Sequence, residues 1–196
     1  MTAVSAWRRE VPVPRGRTDK AKGLHQRVAL AFPALRRAWS NRDAEPVRHF
    51  LSEASRTQLA DAFDALDREF LAIRIEDVEL VEAVVRRPRG SNVASHPESV
   101  YVSYRAAVWV ENLRTGAPVE HPSAPRGFVQ HWRLGFDYRE GWLVESIATL
   151  WEGAADALSP DNWPELPEGW YSRAARPAKF REWDGSAWTS KRERSN

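Results

Sequence analysis

The side chains able to do acid–base or metal chemistry are few and poorly spaced for it. Five histidines, His25, His49, His96, His121 and His131, form no H-x-x-x-H pair. No acidic residue stands at helical ligand spacing to a second histidine, so no metal site is expected. The absence of cysteine removes disulfides, thiolate catalysis and Cys-ligated zinc or iron–sulfur centres. No G-x-S-x-G, P-loop or G-x-G-x-x-G occurs, so nucleophile-elbow, nucleotide and dinucleotide readings lack support. No cofactor is expected. The sequence is rich instead in aromatic and basic groups, with ten Trp and 29 Lys and Arg among 196 residues.

Charge is unevenly spread. Residues 1–40 carry nine Lys and Arg against Glu10 and Asp19, a balance of +7, and residues 41–85 carry −6. Arg8, Arg9, Arg15, Arg17, Lys20, Lys22 and Arg27 could hold an anionic surface at about 1 kcal/mol per basic residue, with Trp7 inserting at the interface. A phospholipid surface or RNA fits such an arm; so does a solvated leader whose charge serves solubility. No apolar run approaches the ~20 residues of a bilayer span. The first residues lack the apolar stretch of a signal peptide, which leaves a cytoplasmic protein, with peripheral attachment at the inner face of the cell membrane as an extension.

Hydrophobic periodicity orders the elements. Residues 1–18 show no period and read as a disordered basic leader. Leu24, Val28, Phe32, Leu35 and Trp39 then form one helical stripe, with Pro33 expected to kink the helix or begin a new one. Pro46 suits a short helix ending near Leu51. Ser52 can cap a further helix that buries Leu59, Phe63 (or Ala62), Leu66 and Phe70. From Ile73 to Val85 the pattern turns β-rich, with a bulge expected near Asp77. Val100 to Val110 alternates as a second strand, Phe128 to Phe136 makes a third, and Trp142 to Leu150 a fourth. Helices first and antiparallel strands after predict an α+β domain over 19–152. Residues 153–168 read as a linker with a single Trp163, and 169–190 as a Trp-rich hairpin module turning at Asp184-Gly185, ahead of a tail at 191–196.

Three stretches carry a resemblance. They are Leu30-Ala-Phe-Pro-Ala-Leu-Arg-Arg-Ala-Trp-Ser-Asn-Arg-Asp43, the Phe50-Leu51-Ser52 boundary leading to Ile75-Glu-Asp-Val-Glu-Leu80, and Phe128-Val-Gln-His-Trp-Arg-Leu134 followed by Gly141-Trp-Leu-Val-Glu-Ser-Ile147. On these, residues 22–150 resemble the Tim-forty-four-like family, within the nuclear-transport-factor-two-like superfamily. The resemblance implies a curved four-stranded antiparallel sheet wrapped around helices to leave a conical pocket. It also implies acidic-lipid association, as in the mitochondrial relatives, or ribosome association, as in another relative. Gly169, Trp170 and Tyr171 with Arg181, Trp183, Asp184, Gly185 and Trp188 resemble a C-terminal segment of unknown function common in high-GC bacteria. There an Asp-Pro usually follows the Tyr; here Ser172-Arg173 stands in its place. That pairing of elements implies a bacterial protein.

Within such a cone, Tyr104, His131, Asp137 and Glu145 are the candidates for acid–base work, since burial can raise a carboxyl pKa. Alternation puts His131 and Asp137 on one strand face and Trp132 and Phe136 on the other, so charge is expected opposite the most apolar face. Phe32, Trp39, Trp109, Phe128, Trp132, Trp142 and Ile147 either fill the core or line a ligand pocket. The function expected is a non-enzymatic adaptor binding a protein partner and an anionic membrane surface. The alternatives are a small apolar-ligand-binding or catalytic cone, then an RNA- or ribosome-associated factor. A closed core favours the adaptor; an open apolar cavity with one buried ionisable group favours the cone.

Overall fold

In a computed structural model of the chain, residues 17–87, 98–119, 124–158, 163, 166–176 and 179–194 are described. The apolar stripe of the first segment becomes helix α1 (Arg17–Asn41), which buries Ala21, Leu24, Val28, Ala31, Phe32, Leu35 and Ala38 in one continuous row. The helix runs through Pro33 without a break. A proline inside a helix removes one backbone hydrogen bond, and here the packing of both halves of the stripe offsets that loss. Arg42, at φ 53°, turns the chain into a 3-10 helix (Glu45–Phe50) that buries Val47 and Phe50.

Helix α2 (Glu53–Arg68) starts where Ser52 Oγ accepts the Ser55 amide at 3.3 Å, a side-chain cap for an otherwise orphaned donor. It buries Leu59 and Phe63. Phe63 meets Trp39 of α1 edge-to-face, with ring centroids 5.2 Å apart, and this joins the two helices. Leu66 is only half-buried. Phe70, expected in the core, is exposed: at φ 57° it lies beyond the helix end, beneath the Arg114 guanidinium.

The strands are β1 (Leu71–Arg87), β2 (Glu98–Asn112), β3 (Ala117–Pro118), β4 (Arg126–Asp137), β5 (Gly141–Ala154), β6 (Gly169–Arg173), β7 (Lys179–Trp183) and β8 (Trp188–Arg194). They form one strongly curled antiparallel sheet in the order β5-β4-β2-β1-β6-β7-β8, with β3 paired beside β2. The bulge near Asp77 is present: Asp77 has φ 50°, and the β1–β2 register slips between Glu76 and Glu79 and again between Leu80 and Glu82. Bulges bend a strand and sharpen its twist, and two of them in a 17-residue strand help curl the sheet.

Among the described residues the sheet has eight strands where four were expected. The difference lies mainly at the C-terminus. β6 pairs with the second half of β1, from Val84↔Arg173 to Arg87↔Trp170, so the Trp-rich segment extends the main sheet. The turn at Asp184-Gly185 is also longer than a two-residue hairpin. Trp183 pairs with Trp188, and the Asp184 carboxylate accepts the amides of Ser186 and Ala187, each at 2.8 Å.

Each face of the curl has its own core. On the concave side Ala83, Val85, Val100, Val102, Trp132, Leu134 and Val144 pack with α1, α2 and Phe180. On the convex side Val84, Tyr101, Val129, Tyr171 and Trp183 are covered by Leu158, Trp163 and Leu166, all buried. The stretch read as a linker therefore contributes apolar side chains to a second core. Two hydrogen bonds fix it: Tyr171 Oη donates to Pro167 O at 2.6 Å, and Trp183 Nε1 donates to Leu166 O at 3.0 Å.

Candidate functional site

Packing on the concave side is incomplete. Between α1, α2 and strands β1, β2, β4 and β5 lies a cavity of about 420 Å³. That volume falls within the roughly 300–1,000 Å³ typical of small-molecule sites. Phe32, Leu35, Leu51, Leu59, Trp132 and Val144 form its buried wall. The exposed side chains of Gln58, Ile147 and Thr149 mark its mouth.

Simple alternation builds this wall. On β4 the inward positions are Phe128, Gln130 and Trp132; on β2 they include Val102 and Tyr104, in register with Gln130 and Phe128. Tyr104 is held rigidly, stacked on Phe128 at 4.9 Å and edge-on to Phe32 at 5.2 Å. Three polar groups then form a chain. Trp132 Nε1–H donates to Gln130 Oε1 at 3.1 Å, and Gln130 Nε2–H donates to Tyr104 Oη at 3.1 Å. Burial, with the Glu152 charge adding to it, pushes the Tyr104 phenol up to about 12, so it is a neutral donor at physiological pH.

No carboxylate or imidazole lines the cavity among the described residues. Of the four acid–base candidates only Tyr104 reaches it. His131 lies on the opposite face, stacked on Tyr101 at 4.7 Å and bonded to Ser99 Oγ at 2.9 Å. Asp137 is exposed and caps the β4–β5 turn by accepting the amides of Glu140 and Arg139, which holds its carboxyl below the usual range. Glu145 is exposed, with its carboxylate over Gly135. The one guanidinium among the described lining residues is that of Arg36, half-buried on α1.

Of the seven aromatic and aliphatic candidates, Phe32, Trp39, Trp132 and Ile147 line the cavity. Phe128 stands behind Tyr104. Trp142 packs edge-on to Phe136 at 5.0 Å, deeper under α1, and Trp109 sits opposite Arg74 in the β1–β2 ladder, away from the cavity. Gln130 and Arg36 were not singled out by sequence. The signal for Gln130 was an amide in the inward phase of a strand between two aromatics.

The residues expected to hold an anionic surface separate. Trp7, Arg8, Arg9 and Arg15 lie outside the described residues, and so does the Arg17 side chain. Lys20 pairs with Glu98, and Arg27 turns inward, donating to the carbonyls of Trp142 and His49 under the Phe50 ring. Lys22 is exposed. In the C-terminal segment Tyr171, Trp183 and Trp188 pack in the convex core, and Trp170 packs against the concave one. The Arg181 guanidinium bonds the Trp188 and Thr189 carbonyls, and Gly185, at φ 103°, makes the turn.

No protein-family model and no curated protein matches the chain. Solved structures do match, among them the crystal structure of the intermembrane space region of the chloroplast protein ARC6. It is 12% identical, with a TM-score of 0.45, over 66% of this chain and 95% of that one.

Proposed function

We propose that this chain binds a small, largely apolar molecule in the cavity on the concave face of its sheet, and that it does so without catalysis. The cavity itself carries this reading: about 420 Å³, walled by Phe32, Leu35, Trp39, Leu59, Trp132 and Val144. A well-packed core holds few voids larger than a water molecule, whereas a ligand site is concave, mostly apolar and set with a few polar groups. An adaptor that works only through its outer surface needs no such space. Binding rather than catalysis is favoured because the lining offers a phenol near 12 and a guanidinium, neither poised to exchange protons near neutrality.

Titration with N-phenyl-1-naphthylamine, a neutral probe whose emission rises in apolar surroundings, tests the reading. Saturable binding at one site per chain supports it. An emission that grows linearly with probe, without saturation, points to non-specific surface contact and ends it.

A further inference from the structure

The polarity of the hydrogen-bond chain in the cavity restricts the ligand further, on the premise that the cavity binds one. An indole nitrogen can only donate. Trp132 Nε1, in a side chain that is 1% exposed, therefore requires an acceptor, and the atom 3.1 Å away must be the amide oxygen of Gln130. With the oxygen so engaged, the other end of the amide is its NH₂, which donates to Tyr104 Oη at 3.1 Å. The phenol oxygen thus accepts a hydrogen bond from Gln130, and its own O–H remains to donate. Among the described residues no acceptor stands within hydrogen-bond distance of that proton. The ring cannot swing to find one, being clamped between Phe128 and Phe32.

We infer that Tyr104 donates a hydrogen bond to the ligand, and that the ligand is a mostly apolar molecule bearing a carbonyl or similar acceptor oxygen. An alcohol or amine would also need an acceptor for its own donor end, a demand that a carbonyl oxygen does not make. A carboxylate is disfavoured at this end of the cavity: the hydroxyl lies in apolar surroundings, and the nearby charge it senses, Glu152, is negative. Ring packing, the fixed amide and the unused hydroxyl proton together make a pre-oriented donor in a site from which water can be displaced.

A matched pair separates this inference from the binding reading beneath it. 2-Acetylnaphthalene carries a ketone where 2-ethylnaphthalene carries a methylene. Both are titrated against the full-length protein and against Tyr104→Phe, and the ketone carbonyl stretch is recorded by isotope-edited infrared spectroscopy in the wild-type complex. The expected result is a bound carbonyl stretch shifted below its value in alkane solvent. Ketone affinity should fall about 3- to 10-fold in Tyr104→Phe, with hydrocarbon affinity unchanged or higher. If both compounds bind but the stretch stays at its alkane position, the donor assignment is overturned while ligand binding stands. If neither binds, both fall. The infrared measurement uses the wild-type protein, so an unshifted stretch overturns the donor assignment even where the variant is unstable.

Discussion

Gln130 and Trp132 project from the same side of β4, and the indole Nε1–H of the second donates to the side-chain oxygen of the first at 3.1 Å. The contact spans two residues of one strand, the period at which side chains share a face. It allows a tryptophan with almost no exposed surface to sit at the wall of an apolar cavity with its one polar atom satisfied.

Removing that acceptor should therefore cost more than removing a surface amide. In Gln130→Leu the indole N–H stays buried without a partner, a loss of about 1–3 kcal/mol. Urea unfolding followed by circular dichroism should show the lowered midpoint. Gln130→Glu, which keeps the acceptor for Trp132, should recover part of it. Equal midpoints for wild type and Gln130→Leu would mean that the indole finds water in the cavity.

Filling the cavity should separate ligand binding from folding. Ala62 lines the cavity from the half-buried side of α2. Ala62→Trp places an indole in the empty space, so apolar probe affinity should drop at least about tenfold while the melting temperature holds or rises. An unchanged affinity with intact folding would move the binding site elsewhere.

The helices and the four long strands were legible in the sequence because their apolar positions repeat at fixed periods. Leu24 to Trp39 spells one helix face, and Val100 to Val110 one strand face. Asp77 was readable as a bulge because charge interrupts a β-branched run. The joining of the C-terminal segment to β1 was not legible. Val84↔Arg173 pairs residues far apart in the chain, and strand pairing at that distance leaves no local periodic trace. The cavity was hidden for a related reason. Phe32, Tyr104 and Trp132 read equally well as a filled core, and only the distance between α1 and the curled sheet decides between core and cavity.

His25 gives the fold a dependence on acid. It is 7% exposed between α1 and β6, its Nε2 is 3.4 Å from Ser172 Oγ, and burial lowers its pKa from 6.5 to about 4. As pH falls below 6.5 the unfolded chain takes up a proton that the folded chain refuses until about 4, so stability declines through that window and is flat above it. The full effect is on the order of 3 kcal/mol. Urea midpoints at pH 7.5 and 5 should differ more for wild type than for His25→Leu; equal differences would show that His25 does not set the dependence.

Trp151 lies across the paired glycines Gly127 and Gly153, crowding a side chain at the first and colliding with one at the second. A Cβ on Gly153 would stand 2.4 Å from Trp151 Cζ2. Gly153→Ala should cost about 1–3 kcal/mol in denaturant unfolding, as overpacking does. In a Trp151→Ala background the same substitution should cost almost nothing. Additive losses would show that the ring already moves freely.

Where the bound molecule sits decides whether the concave cavity is the binding site. A diazirine-bearing alkyl ketone, photolysed with the protein at saturation and mapped by peptide mass spectrometry, should label the cavity wall: residues of α1 near Phe32 and Trp39, of α2 near Leu59, and of β5 near Ile147. Excess unlabelled 2-acetylnaphthalene should suppress the adducts. Labelling concentrated instead on the β6–β8 segment, or scattered over the surface and not suppressed, would contradict binding in the cavity.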